Sequence, residues 1–322
     1  MSFHPEVPSR PSEVMAAAGS YARPESTIEG IDGPVELRAA RDGYLQVWPR
    51  PEPEALSTLY AEDFYDRDHS DFLASKERDR PYWNAIWSMR RSLMEAALPS
   101  ARRRILDVGS SGGFFLDHCR NHGWTGVGIE PSRRAARWAT ERYGLEVFCG
   151  GLLDFPATDP GSPRFDAIHS AQVLEHVLDP DAFIERIATL LEPDGVVYIE
   201  VPNDFNVLQR IARRRLDKRA WWVAPKYHLN YFDFDSLSRL LARHGLFEID
   251  RLSTFPMEMF LLMGEDYVDH PEVGAACHAR RMAFERSLIE TGHLAELVRI
   301  YRSLATASVG RTCGILARHR QA

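Results

Sequence analysis

Residues Arg104–Ser132 read RILDVGSSGGFFLDHCRNHGWTGVGIEPS, and this stretch decides the fold. Ile105, Leu106 and Val108 form the short apolar run of a strand buried on both faces. Gly109, Gly112 and Gly113 let the backbone turn tightly and approach a ligand, and Phe114–His122 supplies a helix whose first amides face it. Gly126–Glu130 is a second strand that ends in an acid. A carboxylate there accepts hydrogen bonds from both hydroxyls of a ribose, so the expected ligand is an adenosine derivative. A dinucleotide fingerprint counted from Gly109 needs glycine at the places of Ser111 and Phe114, so a nicotinamide dinucleotide fits poorly.

Strand and helix patterns go on alternating through Ser132–Tyr143, Glu146–Cys149, Asp166–Ser170, Asp181–Leu191 and Val196–Val201, which implies a parallel sheet with helices on both faces. Three later segments follow in order: FDAIHSAQVLEHVLDP (Phe165–Pro180), LEPDGVVYIEVPN (Leu191–Asn203) and HLNYFDFDSLSRLL (His228–Leu241). With Asp107–Gly113 and Gly126–Ser132, they make the chain resemble class I S-adenosylmethionine-dependent methyltransferases over roughly Arg102–Ser253. The matches are to the first two motifs, the "LEH" segment after the fourth strand, the "PGG" turn with the fifth strand, and the "HxxxF" segment of small-molecule and sugar methyltransferases. The resemblance implies an α/β fold with a Rossmann-like, mostly parallel sheet, an antiparallel closing strand and helical cap elements. Phe247–Ser253 reads as the sixth strand and Arg311–His319 as the closing one, with helices between them.

The expected organisation has five parts. Residues 1–53, rich in Pro, Gly, Ser and charge, read as a loosely ordered extension with one strand at Glu36–Trp48 and no assignable chemistry. Residues 54–100 form a helical cap where Tyr60, Phe64, Tyr65, Phe72, Tyr82, Trp83 and Trp87 gather. The cofactor-binding core runs over 101–254. A helical insertion at 255–308 acts as a lid over the strand ends, and 309–322 hold the closing strand and the C-terminus.

With 322 residues and 44% hydrophobic content, the chain can bury one large core plus an appendage. The net charge of −7 argues against a general attraction to nucleic acid or anionic membrane. The start, MSFHPEVPSRPSEV, lacks a basic region followed by an apolar one, and apolar clusters such as Met257–Met263 are too short to span a bilayer, so a cytoplasmic location is expected. Cys119, Cys149, Cys277 and Cys313 are scattered without zinc or iron–sulfur spacing, and are expected as buried free thiols.

The resemblance implies S-adenosyl-L-methionine as cofactor and distributes its contacts. Glu130 takes the ribose diol, Pro131 covers an adenine face, and the main chain at Leu152 meets the adenine edge. Gly151 stands where an acid is common, which leaves the adenine amino group to Asp154, water or nothing. Gly109, Ser111 and Gly113 lie against the amino-acid portion, with Ser111 in place of the more usual glycine. Asp107 orients the turn, and Ser170 closes the fourth strand at the same site.

For the chemistry, His176 and His228 are the general-base candidates, because imidazole titrates near neutral pH and both fall at the C-terminal rim of the sheet. Glu175 orients the neighbourhood of His176 or caps the following turn. His169, inside the fourth strand, reads as a packed residue. Gln172, Glu175 and His176 share one face of a helical turn at i, i+3 and i+4. This resembles the Glu-x-x-Glu-His set, completed by a distant His, with which small-RNA 2′-O-methyltransferases hold magnesium. Gln172 replaces the first carboxylate, so no metal is expected; Glu175, His176 and His228 are the set that would hold one.

Ser170-Ala-Gln-Val lacks the Asn/Asp-Pro-Pro-aromatic signature of base methylation, and no Pro-Cys pair is present. The run Arg210–Arg219 reads as a solvated basic helix face before a phosphate site, while Trp221, Trp222, Tyr227, Tyr231 and Phe232 serve as stacking surfaces or core. The leading expectation is O-methylation of a small molecule, sugar or glycan. The partner is then a small-molecule or carbohydrate acceptor, with neither nucleic acid nor membrane, and a homodimer is left open. N- or C-methylation of a nucleotide sugar or secondary metabolite, a metal-assisted 2′-O-type reaction, a dehydrogenase and a non-catalytic adenosylmethionine-binding module stay as alternatives.

Overall fold

The computed structural model describes residues 27–59, 70–99, 101–156 and 164–320. Residues 1–26 of the expected extension, and Tyr60, Phe64 and Tyr65 of the expected cap, lie outside them. The described chain begins with β1 (Thr27–Gly30), β2 (Gly33–Ala39) and β3 (Leu45–Trp48). It continues through β4 (Arg104–Val108), β5 (Thr125–Glu130), β6 (Val147–Cys149), β7 (Phe165–Ala171) and β8 (Leu191–Pro202). Then come β9 (Asn230–Tyr231), β10 (Leu246–Leu252) and β11 (Thr312–His319).

Seven of these form one sheet in the order β10-β11-β8-β7-β4-β5-β6. The pairs from β8 to β6 are parallel, and β11 lies antiparallel between β8 and β10, as expected of the closing strand. Ile105, Leu106, Ile168, Val197 and Ile199 are fully buried because helices cover both faces. Phe183, Ile187, Leu237 and Leu240, from helices Pro180–Leu190 and Phe234–Arg243, pack on one side. Tyr82, Ile86, Phe115 and Ala139, from helices Arg80–Ala97, Phe114–Arg120 and Arg133–Tyr143, pack on the other. Three helices, Glu258–Leu262, Pro271–Glu290 and Leu294–Thr306, stand between β10 and β11.

The N-terminal expectation is corrected from Thr27 onward. The single strand read over Glu36–Trp48 is an antiparallel hairpin, turning at Asp42-Gly43 where Gly43 has φ +89°. β1, β2 and β3 form a meander whose fourth strand is β9, with Gln46 opposite Asn230 and Leu45 opposite Tyr231. The alternating apolar residues Ile28, Val35, Leu37 and Val47 bury themselves against Ala220, Trp222, Val223 and Tyr231. This order follows from a hydrophobic face that has a partner, which a composition rich in Pro and charge conceals. Cysteines 119, 277 and 313 are buried and free; Cys149 is free but exposed, at the edge strand β6. Among the described residues no helix is long and apolar enough to cross a membrane.

Candidate active site

The turn after β4 is fastened to the end of β5. The amides of Gly109 and Ser110 both donate to the Ile129 carbonyl, at 2.8 and 2.9 Å. Gly109, Ser111 and Gly113 have φ of +75°, +51° and +74°, so Ser111 holds a backbone conformation that glycine adopts without strain. A side chain at Gly109 would meet Val173 Cγ2 at 2.2 Å, which makes glycine obligatory there. The Ser111 amide donates to Glu130 Oε2 at 2.8 Å and the Ser132 amide to Oε1 at 2.9 Å. Burial pushes the Glu130 carboxyl up to about 7, against the lowering effect of these two amides.

A cavity of about 430 Å³ opens in front of this carboxyl, with Gly109, Glu130, Pro131, Leu152, Gln172 and His176 among its walls. Leu152 opens a short 3-10 turn, and the Asp154 carboxylate at its end accepts from the Gly151 amide at 3.3 Å while also facing the cavity. The helix Pro53–Thr58 contributes Pro53, the last residue of the expected extension, and Leu56, the one described residue of the expected helical cap among the walls.

Of the residues expected at the cofactor, Asp107, Ser111, Gly113 and Ser170 are not among those lining the cavity. Asp107 sends its carboxylate sideways to His169 Nδ1 at 2.7 Å, both side chains being buried, because β4 and β7 set the two residues opposite one another. His169 is the packed residue expected, its ring 4.0 Å from Phe115 and parallel to Tyr198. Ser170 is 1% exposed, between Val108 and Ile199 in the sheet, and does not line the cavity; the chain first reaches it at Gln172 and Val173. Gly113 lies behind the turn against Leu145 and Ala139.

The cavity wall at His176 leads into a polar cluster. Glu175, His176 and His228 each offer a ligand atom within 4.8 Å of the others. His176 Nδ1 lies 2.8 Å from the Tyr227 carbonyl, so it carries the proton and leaves Nε2 as the lone pair, 3.7 Å from Glu175 Oε1. The His176 and His228 rings meet edge to face at 5.1 Å. Glu175 is fully buried and neither of its oxygens has a hydrogen-bond partner among the described residues; the same holds for His228 Nδ1. Burial, with Asp204 and Glu200 adding to it, holds the Glu175 carboxyl well above the usual range. Burial lowers His176 to about 4, and burial with the neighbouring His176 and Arg311 lowers His228 to about 3. Both imidazoles are therefore neutral at pH 7.

The helical face expected for Gln172, Glu175 and His176 is not formed. Gln172 has φ +59° and precedes a 3-10 turn spanning Leu174–His176, so its side chain faces the cavity and not the cluster. Glu175 does not cap the next helix either; Asp179 does, accepting from the amides of Asp181 and Ala182. Sequence reasoning missed the residues that hold this rim. Asn230 Nδ2 donates to the carbonyls of Val177 at 2.7 Å and Leu174 at 3.2 Å. Arg50 donates to the carbonyls of Leu229, Val177 and Leu178, joining the N-terminal meander to both segments that carry the histidines. The available signal for Asn230 was a lone amide inside an aromatic run; Arg50 had none. Of the aromatics, Trp222, Tyr231 and Phe232 are core, and Trp221 and Tyr227 are half-buried. Helix Val207–Leu216 carries Arg210, Arg213, Arg214 and Arg215 of the basic run, and Lys218 and Arg219, beyond its end, pair with Asp266 and Asp269.

A family model described as a methyltransferase domain matches residues 79–249. A ubiquinone biosynthesis O-methyltransferase of Ralstonia nicotianae is 32% identical over 136 residues, 40% of this chain and 52% of that protein. The C-methyltransferase NovU of Streptomyces niveus is 28% identical over 150 residues, 45% of this chain and 33% of that protein. The chain thus spans about half, or less, of these curated relatives. The solved structure of the plantazolicin methyltransferase BpumL in complex with SAH aligns with a TM-score of 0.50 at 16% identity, over 83% of this chain and 95% of that one. That likeness shows a shared fold.

Proposed function

The chain belongs to the methyltransferase-domain family, and from that premise we propose that it transfers a methyl group from S-adenosylmethionine to a hydroxyl of a small molecule or sugar. The observation that carries this reading is the junction of two sites: a cavity with Glu130 at one wall opens, at His176, onto a cluster of neutral imidazoles. Bound S-adenosylmethionine supplies an electrophilic methyl carbon and, after transfer, keeps the sulfur electron pair as a thioether. Glu130, fixed by two amides, accepts from the ribose hydroxyls with its remaining lone pairs. The Gly109–Gly113 turn offers its backbone to the amino-acid portion. His228 takes the acceptor's proton as the oxygen–carbon bond forms, and His176 orients it. Holding the acceptor in line is worth up to roughly 7–11 kcal/mol. The name of the Ralstonia relative favours oxygen as the acceptor atom, and that of NovU keeps carbon as the alternative. Methyl transfer to a hydroxylated acceptor panel tests the reading; binding of the donor with no transfer across the panel would point to a non-catalytic module.

Donor binding carries a pH signature. The raised Glu130 carboxyl is half protonated near pH 7 in the empty site, whereas the ribose diol needs it ionised. Affinity for S-adenosylhomocysteine is expected to fall about tenfold per pH unit below about 7 and to level off above it. Calorimetry across this range checks it: Glu130→Gln should flatten the dependence, and Glu130→Ala should weaken binding by about 1.5–3 kcal/mol per charge-assisted bond lost. A wild-type affinity indifferent to pH would remove Glu130 from the diol.

A metal-assisted reading has one observation in its favour: the oxygens of Glu175, with no hydrogen-bond partner among the described residues, and the neighbouring His176 and His228 fit a divalent cation. Two imidazoles and one carboxylate suit manganese, iron or zinc better than magnesium, and the cation would polarise the acceptor hydroxyl. Because Gln172 supplies no fourth charged ligand, chelation is expected to leave turnover largely intact. Loss of activity restored by manganese would reassign Glu175, His176 and His228 as ligands.

A further inference from the structure

Arg50, two residues beyond β3, spreads its planar guanidinium across two separate segments of the chain. Nη1 donates to the Leu229 carbonyl at 2.9 Å and to Asn230 Oδ1 at 3.2 Å; Nη2 donates to the carbonyls of Val177 at 3.1 Å and Leu178 at 2.5 Å. Asn230, fully buried in β9, completes the knot. Its Oδ1 also accepts from Gln46 Nε2 at 3.3 Å, while its Nδ2 reaches the Val177 and Leu174 carbonyls. The Leu229 amide donates to the Glu175 carbonyl at 2.8 Å. The two segments joined in this way carry His176 and His228, and Val177 and Leu178 belong to the cavity wall. Apart from Asn230 itself, the knot takes only main-chain atoms of these segments. The oxygens of Glu175 and His228 Nδ1 have no hydrogen-bond partner among the described residues. The backbone beside each imidazole is therefore fixed while polar side-chain atoms are left for proton transfer. A second arginine, Arg243, ties the same N-terminal meander to the core through Asp42 and Asp181, both at 2.6 Å. Its hydrogen bonds go to neither histidine-bearing segment.

We infer that Arg50, acting with Asn230, is the positioning residue for the His176–His228 pair, so that the N-terminal meander sets the acceptor-side geometry from outside the seven-stranded sheet. The inference rests on the proposed role of the two imidazoles. A misplacement of about 1 Å at reacting groups can cost on the order of 10²-fold in rate, and a planar fork spanning three carbonyls prevents that drift.

Arg50→Met and Arg243→Met each cut one tie of the meander, so both should lower the melting temperature. Only Arg50→Met is expected to lower kcat, by about tenfold to a hundredfold on an acceptor found in the hydroxylated panel, with S-adenosylhomocysteine affinity kept within about threefold. Carbethoxylation by diethyl pyrocarbonate, read by peptide mass spectrometry well below the melting temperature, gives a readout independent of turnover. His176 and His228 should label faster in Arg50→Met and at the wild-type rate in Arg243→Met, with His169 unchanged in both. If Arg50→Met does not fold, Arg50→Lys takes its place in the same comparison, since it keeps the charge and loses the fork. An Arg50 variant with wild-type kcat and wild-type labelling overturns the inference. So does an Arg243→Met that reproduces both changes, because Arg50 is then one structural tie among others. A wild type that binds S-adenosylhomocysteine and methylates no acceptor defeats the proposed function instead, and the labelling comparison still decides whether Arg50 places the histidines.

Discussion

His228→Ala is expected to lower turnover by about 10²–10⁴-fold while leaving S-adenosylhomocysteine affinity unchanged. His228 is not among the residues lining the cavity and packs edge to face on His176, which is, so on the proposed reading its loss removes a proton acceptor and no donor contact. A conjugate acid disfavoured to about 3 makes a weak base in the empty site. A donor bound as proposed would bring its positive sulfonium to this end of the sheet and favour ionisation of Glu175, and an ionised Glu175 would stabilise a proton arriving on either imidazole. His228→Asn should be as slow as alanine, because an amide cannot take the proton. Turnover on the natural acceptor and a thermal melt check the result: variants that are folded and fully active would assign the reaction to His176 or to positioning, and variants that melt much earlier would make His228 structural.

What the chain discloses by itself follows the range of the interaction. Arg104–Ser132 was legible because a strand buried on both faces must be a short apolar run, and a turn with positive φ must spend glycines. Glu130 was legible because the acid ends a strand. Asp107 was misplaced because its partner His169 lies 62 residues away and faces it only through the register of β4 against β7. Gln172 was misplaced because i, i+3, i+4 spacing means a shared face only if the backbone is α-helical, and here it turns through φ +59°. The meander was hidden by composition, although Asp42-Gly43 is a hairpin signal. Arg50 was out of reach altogether: it caps carbonyls 127, 128 and 179 residues distant, a role that any exposed arginine could equally have had.

Glu175 offers the sharpest separation of stability from activity. Its carboxyl is fully buried with no hydrogen-bond partner among the described residues, and an unsatisfied buried polar group costs about 1–3 kcal/mol. Glu175→Met, of similar length and apolar, should return that amount and raise the melting temperature by about 2–4 °C per kcal/mol. Glu175→Gln keeps the shape but leaves an amide equally unsatisfied, so its stability should stay near that of the wild type. Both should lose turnover by about 10²-fold or more, because neither can ionise beside His176 and His228 when the acceptor proton arrives. The sign of the pH effect agrees: a carboxyl raised in the folded state is protonated there but ionised in the unfolded chain, so its presence subtracts stability as pH rises above about 4.5. The Met variant should therefore gain over the wild type more at pH 8 than at pH 5. A Met variant that is less stable at both pH values, or one that keeps full activity, would mean that Glu175 is neither strained by its burial nor used in the transfer.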